Sequence, residues 1–290
     1  LRVHAVYSQD MNGYPTIVGW KNIEPLKKAF SSVSRRLVKQ DVLKDLPPKQ
    51  LIIKQVDLEP EHEQRVRRLL ETGLLEIQQA TGPELIFAQA QELQMKVRRA
   101  LFDPSIVSLD CESNYFGHLD LLVDNLGDEQ AILFCHFHQT LDKVKQYLTS
   151  KKISFGEIHG QVSQKVKEQS KADFINKKVQ YLIGNAKSMG VGLDFQHSRN
   201  VIFFELDYEV DSFWQGQDRV HRPGQHEDVN IYVFIAKRTI AVKLFKSVVT
   251  NTNFVQQLLN RENNSSFLND AVITSEELEY YTRKINGRVN

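Results

Sequence analysis

The sequence predicts an α/β protein in which helices cover a parallel sheet, with a helical segment ahead of that sheet. Beyond about residue 130, short apolar runs rich in β-branched and aromatic residues alternate with amphipathic stretches. Continuous apolar strands of this kind are typical of parallel sheets buried on both faces. Two longer amphipathic stretches, residues 59–77 and 84–102, precede this region and indicate a helical hairpin.

The first part of the chain, residues 1–50, is predicted to be a linker that contains one helix. Residues 24–39 carry apolar side chains at helical spacing, namely Leu26, Phe30, Val33 and Leu37. The adjacent prolines Pro47 and Pro48 force extended backbone and end that pattern. A helical protrusion, residues 51–104, is expected to follow.

The sheet region is predicted to occupy residues 105–262. Its expected strands are residues 131–134, 155–158, 179–183, 200–204 and 229–235, and its expected helices are residues 140–148, 166–175, 211–221 and 240–259. In a sheet of this type, functional sites gather where the strands end. Residues 263–290 are predicted to form a tail with a short helix at 275–284, because Thr274 and Glu277 have the spacing of a capping box.

The composition of the 290 residues, 41% hydrophobic and 25% charged, is that of a globular protein and excludes a disordered or fibrous chain. Its longest apolar runs are far shorter than the roughly 20 residues that cross a bilayer, so we expect no membrane partner. The net charge of +1 gives no overall signal for nucleic acid, so any DNA contact must come from a local patch. The two cysteines, Cys111 and Cys135, suggest a reducing compartment, either the cytoplasm or the nucleus. The chain opens on Leu1 without a signal-peptide pattern, so we expect a piece of a longer protein.

The most informative stretch, residues 215–225, reads Gln-Gly-Gln-Asp-Arg-Val-His-Arg-Pro-Gly-Gln. On the predicted helix, Gln215, Arg219 and Arg222 share one face. Two adjacent guanidinium groups repel each other, which stabilises a fold poorly but suits a polyphosphate ligand. Pro223 and Gly224 are expected to end this helix. Taken alone, the spacing also fits solvated arginines on an exposed helix.

The complete stretch resembles the sixth motif of the Swi/Snf family, which belongs to superfamily two of the helicases. The resemblance implies a RecA-like fold and places the chain as the second of two lobes. It also implies that Arg219 and Arg222, with Gln215 beside them, reach the γ-phosphate of ATP held by the first lobe and stabilise charge during phosphoryl transfer.

Residues 186–195 resemble the fifth motif of the same family, in which glycines let the backbone approach nucleotide and DNA phosphates. The resemblance implies nucleotide contacts for Gly190, Gly192 and Asp194, and DNA contacts for Lys187 and Ser188. Two letters differ from the family pattern, since position 189 is Met rather than Gly and position 194 is Asp rather than Asn. A plain strand-to-helix turn is the alternative interpretation.

Residues 131–137 resemble the fourth motif, and residues 158–160 resemble the segment after it. This implies DNA contacts for Gly160 and Lys167. Lys167 stands where the family has arginine, so the charge is kept but bidentate phosphate recognition is not; an ordinary exposed lysine is the open alternative. Residues 34–49 resemble the junction between lobes, and residues 235–240 resemble the segment that closes the second lobe, although Ala241 and Val242 replace acidic residues there.

Two parts of an ATPase site are absent from the sequence: a Gly-x-x-x-x-Gly-Lys-Ser/Thr loop and an acidic strand end for magnesium. In the family these belong to the N-terminal RecA-like lobe. The resemblance therefore implies that lobe as a partner, ATP and Mg2+ held mainly by it, double-stranded DNA as substrate, and no activity for this chain alone.

Two other classes of protein compete with this interpretation. A non-catalytic DNA- or protein-binding module with the same fold is the alternative function. An RNA helicase is disfavoured by the Arg-x-His-Arg-x-Gly-Gln and Leu-Pro-Pro-Lys stretches. A zinc site at His136, His138 and His159 is disfavoured as well, because no cysteine or carboxylate completes a ligand spacing.

Overall fold

The structure of the chain is a computed structural model. It describes residues 5–9, 15–21, 23–33, 43, 45–79, 83–189, 195–207, 210–242, 244, 245 and 248. The predicted tail at 263–290, with its helix at 275–284, lies outside these residues. Among the helices that are described, none is long and apolar enough to cross a membrane.

The elements follow one another in alternation along most of the chain. The strands are β1 (Ala5–Gln9), β2 (Pro15–Trp20), β3 (Lys49–Val56), β4 (Ala131–Phe134), β5 (Phe155–Ile158), β6 (Tyr181–Gly184), β7 (Asn200–Phe203) and β8 (Val229–Ala236). The helices are α1 (Ile23–Val33), α2 (Pro60–Gln79), α3 (Pro83–Phe102), α4 (Tyr115–Leu126), α5 (His138–Ser150), α6 (Gln164–Ile175) and α7 (Val210–Asp218), with a short 3-10 helix at Pro104–Val107.

Six strands form one parallel sheet in the order β3-β8-β7-β4-β6-β5. Phe134, the last residue of β4, is in register with Phe203 of β7 and with Gly184 of β6. The carboxyl ends of these strands therefore lie at one edge of the sheet. The predicted α/β fold with a parallel sheet is confirmed.

Both faces of the sheet are buried. Alternate residues of the central strands, such as Leu133 and Ile202, join a core with α2 to α5. Their neighbours, such as Ile132 and Val201, join a second core with α6 and α7. Since side chains of a strand point alternately to its two faces, a strand without a polar position needs cover on both sides.

The helical hairpin α2–α3 is built onto the first of these cores. Val97 and Leu101 of α3 are buried in it. Phe102 makes an edge contact with Tyr115, their ring centroids 4.6 Å apart, and the Tyr115 ring lies 5.2 Å from that of Phe204. Edge-to-face packing of this kind fixes the base of the hairpin against the sheet.

The strand β3 was not predicted from the sequence. It spans the expected boundary at residue 50 between the linker and the helical protrusion. It is the outermost strand of the sheet and pairs along its whole length with β8. Only Leu51 and Val56 of this strand are fully buried, so lysine and glutamine are tolerated at its other positions and interrupt the apolar pattern. The antiparallel pair β1–β2 was also not predicted, and it stands outside the six-stranded sheet. The helix predicted at 24–39 is present as α1, and residues 34–42 lie outside the described part.

Candidate functional site

The edge formed by the strand carboxyl ends carries segments from three stretches that resemble family motifs, and one further segment that follows β7. Residues 135–137 follow β4, His159 and Gly160 follow β5, residues 185–189 follow β6, and residues 204–207 follow β7. Because the strands are parallel, these four segments emerge on the same side of the sheet. The carboxyl edge is therefore the candidate site.

Glu205 is a buried carboxylate at this edge. Its Oε2 accepts hydrogen bonds from the backbone N–H groups of His136 and Phe137, at 2.7 and 2.9 Å, and its Oε1 accepts one from the Thr140 hydroxyl. Burial raises the pKa of Glu205 above its usual range, and these hydrogen bonds oppose that rise. The carboxylate satisfies the two backbone amides immediately ahead of α5, and sequence reasoning missed it.

Arg98 connects the hairpin to the same edge. Its Nη2 donates to the carbonyl oxygen of Leu206 across 2.5 Å, and its guanidinium carbon lies 5.0 Å from the centroid of the Phe137 ring. Arg98 is only 5% exposed. The side chain thus fixes α3 to two of the segments that form the candidate site.

The segment after β6 begins with a tight turn. The side-chain oxygen Oδ1 of Asn185 accepts from the N–H of Ser188 at 2.9 Å, and the Met189 N–H donates to the Asn185 carbonyl oxygen at 3.1 Å. Met189 is fully buried and belongs to the second core, whereas Lys187 is exposed and Ser188 is half-buried. The methionine found where the family has glycine is therefore a packing residue in this chain.

A close approach of strands makes Gly184 necessary ahead of this turn. A Cβ atom at Gly184 would lie 1.9 Å from the carbonyl oxygen of Ile158. The next predicted nucleotide contacts, Gly190, Gly192 and Asp194, lie outside the described residues, which resume at Phe195.

Helix α7 carries Gln215 and lies close to the sheet. Gln215 is exposed, while a Cβ atom at its neighbour Gly216 would lie 3.0 Å from ring atoms of both Phe134 and Phe203. Those two rings stack on each other with centroids 5.0 Å apart. The absence of a side chain at position 216 therefore lets the helix rest directly on the ends of β4 and β7.

The predicted helix at 211–221 ends earlier than the sequence indicated. It stops at Asp218, so Arg219 and Arg222 lie in the turn that follows and do not share a helical face with Gln215. In a helix the carbonyl of Arg219 would pair with the N–H of residue 223, and proline has none. That carbonyl instead accepts from the N–H of Phe195 at 3.0 Å.

Both arginines of this turn are half-buried, whereas the alternative interpretation of the sequence was solvated arginines on an exposed helix. The Arg222 Nε donates to the carbonyl oxygen of Asp218 at 2.8 Å, across the end of α7. We call residues 219–222 the arginine turn. It carries two guanidinium groups directly after a helix that rests on the carboxyl edge, and guanidinium groups bind phosphate oxygens.

Three polar residues around the arginine turn are buried and tie it to the rest of the lobe. His221 has its Nε2 2.8 Å from the carbonyl oxygen of Pro47, Gln225 donates from Nε2 to the carbonyl oxygen of Ser198, and Gln217 accepts from Lys49. Sequence reasoning assigned these residues no role. Their hydrogen-bond partners lie far away in the chain, so no local sequence pattern identifies these residues. The signal that distinguishes them is that they are polar, are buried and lie next to two arginines.

Gly160 and Lys167 follow β5, the outermost strand at the end of the strand order away from β3. A Cβ atom at Gly160 would meet no heavy atom within 4 Å. Lys167 lies in the first turn of α6, where Ser163 caps the helix by accepting from the Val166 N–H, and it is half-buried. In the described part of the chain, no group of three or more His, Cys, Asp or Glu side chains is arranged to hold a metal ion.

Comparison with protein families places this site in context. The helicase conserved C-terminal domain matches residues 116–224, which run from α4 to just beyond the arginine turn. A Drosophila melanogaster relative, named as a SWI/SNF-related matrix-associated actin-dependent regulator of chromatin, is 29% identical over 159 residues, or 53% of this chain. An ATP-dependent helicase from Mycoplasma genitalium is 25% identical over 256 residues, or 83% of this chain. The chain spans only 19% and 25% of the lengths of these relatives.

Solved structures share the fold. The C-terminal part of the Fun30 ATPase domain aligns over 83% of this chain and 99% of its own, with a TM-score of 0.58 and 17% identity. The SWI2/SNF2 ATPase core from Sulfolobus solfataricus, solved in complex with double-stranded DNA, aligns over 88% of this chain and 55% of its own, with a TM-score of 0.59 and 19% identity.

The six-stranded parallel sheet and its covering helices give this chain a RecA-like fold. The family match ends two residues beyond the arginine turn, and the relatives named above are a chromatin regulator and an ATP-dependent helicase. Residues 116–224 thus match a helicase C-terminal domain, and the chain is similar to SWI/SNF-related proteins and shares the fold of the C-terminal part of a Swi/Snf-type ATPase domain.

Proposed function

We propose that this lobe completes the ATPase site of a DNA-dependent translocase by supplying Arg219 and Arg222 as arginine fingers. ATP, with Mg2+, would be held mainly by an N-terminal RecA-like lobe, and closure of the two lobes would bring the arginine turn to the γ-phosphate. The observation that carries the proposal is the turn itself, in which two guanidinium groups follow a helix that rests on the carboxyl edge.

Physical chemistry supports this proposal in addition to the resemblance to the family. Phosphoryl transfer depends on positioned positive charge more than on covalent chemistry by the protein. The turn is fixed by the bond between Phe195 and the Arg219 carbonyl and by that between His221 and Pro47. A turn held in this way can present guanidinium groups with little reorganisation. Gln215 is exposed on α7, just before the turn, and is proposed to contact the nucleotide together with the two arginines.

Double-stranded DNA is the proposed substrate, contacted through its phosphates by Gly160, Lys167, Lys187 and Ser188. Lys187 is exposed, and the space around Gly160 is open, so a phosphate could approach the backbone there. Cyclic closing and opening of the lobes would move the protein along the duplex. Gly190, Gly192 and Asp194 stay proposed nucleotide contacts by resemblance alone.

The experiment uses a protein that contains both lobes. Arg219→Ala and Arg222→Ala should each lower DNA-stimulated turnover by about a thousandfold, with melting temperatures close to that of the parent protein. Lysine at either position should not restore turnover, since a point charge cannot bridge two phosphate oxygens. Arg65→Ala is the matched control, because Arg65 is a surface residue of α2 paired only locally with Glu61.

Full turnover in both arginine variants would remove the catalytic assignment. It would favour the second candidate, a lobe that binds DNA or protein without taking part in catalysis. Measuring turnover and melting temperature on the same samples separates a lost catalytic group from a damaged fold.

A further inference from the structure

A cluster of side chains joins the start of β3 to the end of α7. Lys49, the first residue of β3, donates from Nζ to Oε1 of Gln217 at 3.2 Å, and its Nζ lies 4.7 Å from the centroid of the Trp214 ring. The His221 imidazole meets the Pro47 carbonyl at 2.8 Å. We call these five residues the junction clasp.

Two residues of the clasp, Gln217 and His221, are sequence neighbours of the two arginines. Gln217 lies two residues before Arg219, and His221 lies between Arg219 and Arg222. On the other side, the carbonyl oxygen of Pro48 accepts from the Val229 N–H at 3.0 Å, where the pairing of β3 with β8 begins. The contacts therefore connect the arginine turn to the point at which the chain enters the sheet.

Gln217 is an unfavourable choice for packing alone. Its side chain is fully buried, and its Nε2 has no hydrogen-bond partner in the structure. A buried amide donor without a partner destabilises a fold, and an apolar side chain of similar shape would avoid that penalty. The contact with Lys49 fixes which way the amide points, because the reverse orientation would set two N–H donors against the ammonium group.

We propose that Lys49 and Gln217 are positioning residues, which set the place of Arg219 and Arg222 relative to the chain that enters β3. The segment that enters β3 is the predicted junction to the first lobe. A shift of that junction would therefore move the arginine turn through the contacts of the clasp. The inference rests on the proposed function of the two arginines. Its physical basis is that the turn lies outside any helix, so distant contacts have to hold it.

Gln217→Met in the protein with both lobes distinguishes positioning from packing. Methionine has a similar length and no buried donor, so a purely structural role predicts an equal or higher melting temperature and unchanged turnover. A positioning role predicts that kcat falls by about ten- to a hundredfold, as expected for a misplacement near 1 Å, while the KM for ATP changes little. Lys49→Met should behave in the same way, and Lys49→Arg should recover part of the lost turnover.

A second measurement needs only the 290-residue chain. Hydrogen exchange at the Phe195 amide reports the position of the arginine turn, because that N–H donates to the Arg219 carbonyl. Gln217→Met and Lys49→Met should accelerate exchange there. Lys237→Met is the matched control, since Lys237 pairs with Asp57 at the opposite end of β3 and β8 and should leave the Phe195 amide unchanged.

The outcomes separate the two proposals. If the arginine variants lose turnover while Gln217→Met keeps both full turnover and normal exchange at Phe195, the clasp proposal is overturned and the arginine fingers stand. If the arginine variants keep full turnover, the proposed function fails and the positioning role fails with it. Reduced kcat in Gln217→Met at an undiminished melting temperature supports the clasp.

Discussion

The hydroxyl group of Thr140 donates to Oε1 of Glu205 across 2.6 Å and joins the first turn of α5 to the end of β7. Two backbone amides, those of His136 and Phe137, donate to the other carboxylate oxygen. A single buried side chain thus connects β7 to the start of a neighbouring helix at the carboxyl edge. The contacts explain why a charged residue is tolerated where only 3% of its surface is exposed.

We predict that Glu205→Gln removes a pH dependence of stability. Burial raises the pKa of Glu205 in the folded protein above its ordinary value of 4.5, so the folded state binds the proton more tightly than the unfolded state. The free energy of unfolding therefore falls as the pH rises from the ordinary pKa through the raised one. Glutamine cannot ionise, and the stability of the variant relative to the parent should increase over that window.

Urea unfolding from about pH 4 to 8 measures this difference. The glutamine oxygen can accept from the two amides, and its NH2 group can donate to Thr140, so the fold should be kept. Glu205→Leu provides the comparison and should lose about 2 to 4 kcal/mol, because three donors lose their acceptor. Parallel stability curves for the parent and Glu205→Gln would show that the carboxyl group does not titrate in this range.

Gly184→Ala should destabilise the lobe by about 1 to 3 kcal/mol. The added Cβ would lie 1.9 Å from the Ile158 carbonyl oxygen, and a backbone atom in a parallel strand cannot move aside freely. Chemical unfolding of the 290-residue chain gives the value. Gly117→Ala in α4 is the control, since its Cβ would meet nothing within 4 Å and alanine should stabilise a helix. Equal stability of the Gly184 variant and the parent would mean that β5 and β6 separate easily.

Lys187→Ala and Lys167→Ala should weaken DNA binding by the protein with both lobes and lower the slope of log K against log salt by about one each. The effect should not depend on DNA sequence, because a phosphate contact carries no base information. Titrations at several salt concentrations measure the slope. Lys96→Ala is the control, an exposed lysine of α3 paired with Glu92. Slopes equal to that of the control would identify Lys167 and Lys187 as ordinary surface lysines.

The 290-residue chain by itself should hydrolyse no ATP above background, with or without DNA. Its sequence has the two proposed arginine fingers but no phosphate-cradling loop, and positioning by both sets of groups is needed for rate. A phosphate-release assay at high protein concentration tests this. Robust DNA-stimulated turnover by the chain would show that the ATPase site is not divided between two lobes.

The sequence by itself determined the central sheet and the family. Strand β4 is buried on both faces and every one of its positions is apolar, so the run is visible without knowledge of its neighbours. The motif around Arg219 and Arg222 was equally visible, because its residues are consecutive in the chain. These features depend on local pattern alone, and the structure and the comparisons bear out the fold and family that they predicted.

Only the tertiary structure decided the edge strand, the end of α7 and the contacts that hold the arginine turn. β3 gains its strand conformation from pairing with β8, although lysine and glutamine interrupt its apolar pattern. The helix ends at Asp218 because Pro223 offers no N–H and Phe195 supplies one in its place. Glu205 meets His136 across 69 positions, and Lys49 meets Gln217 across 168. Hydrogen bonds between residues so far apart leave no periodic signal in a sequence, since each depends on how the whole sheet brings its strand ends together.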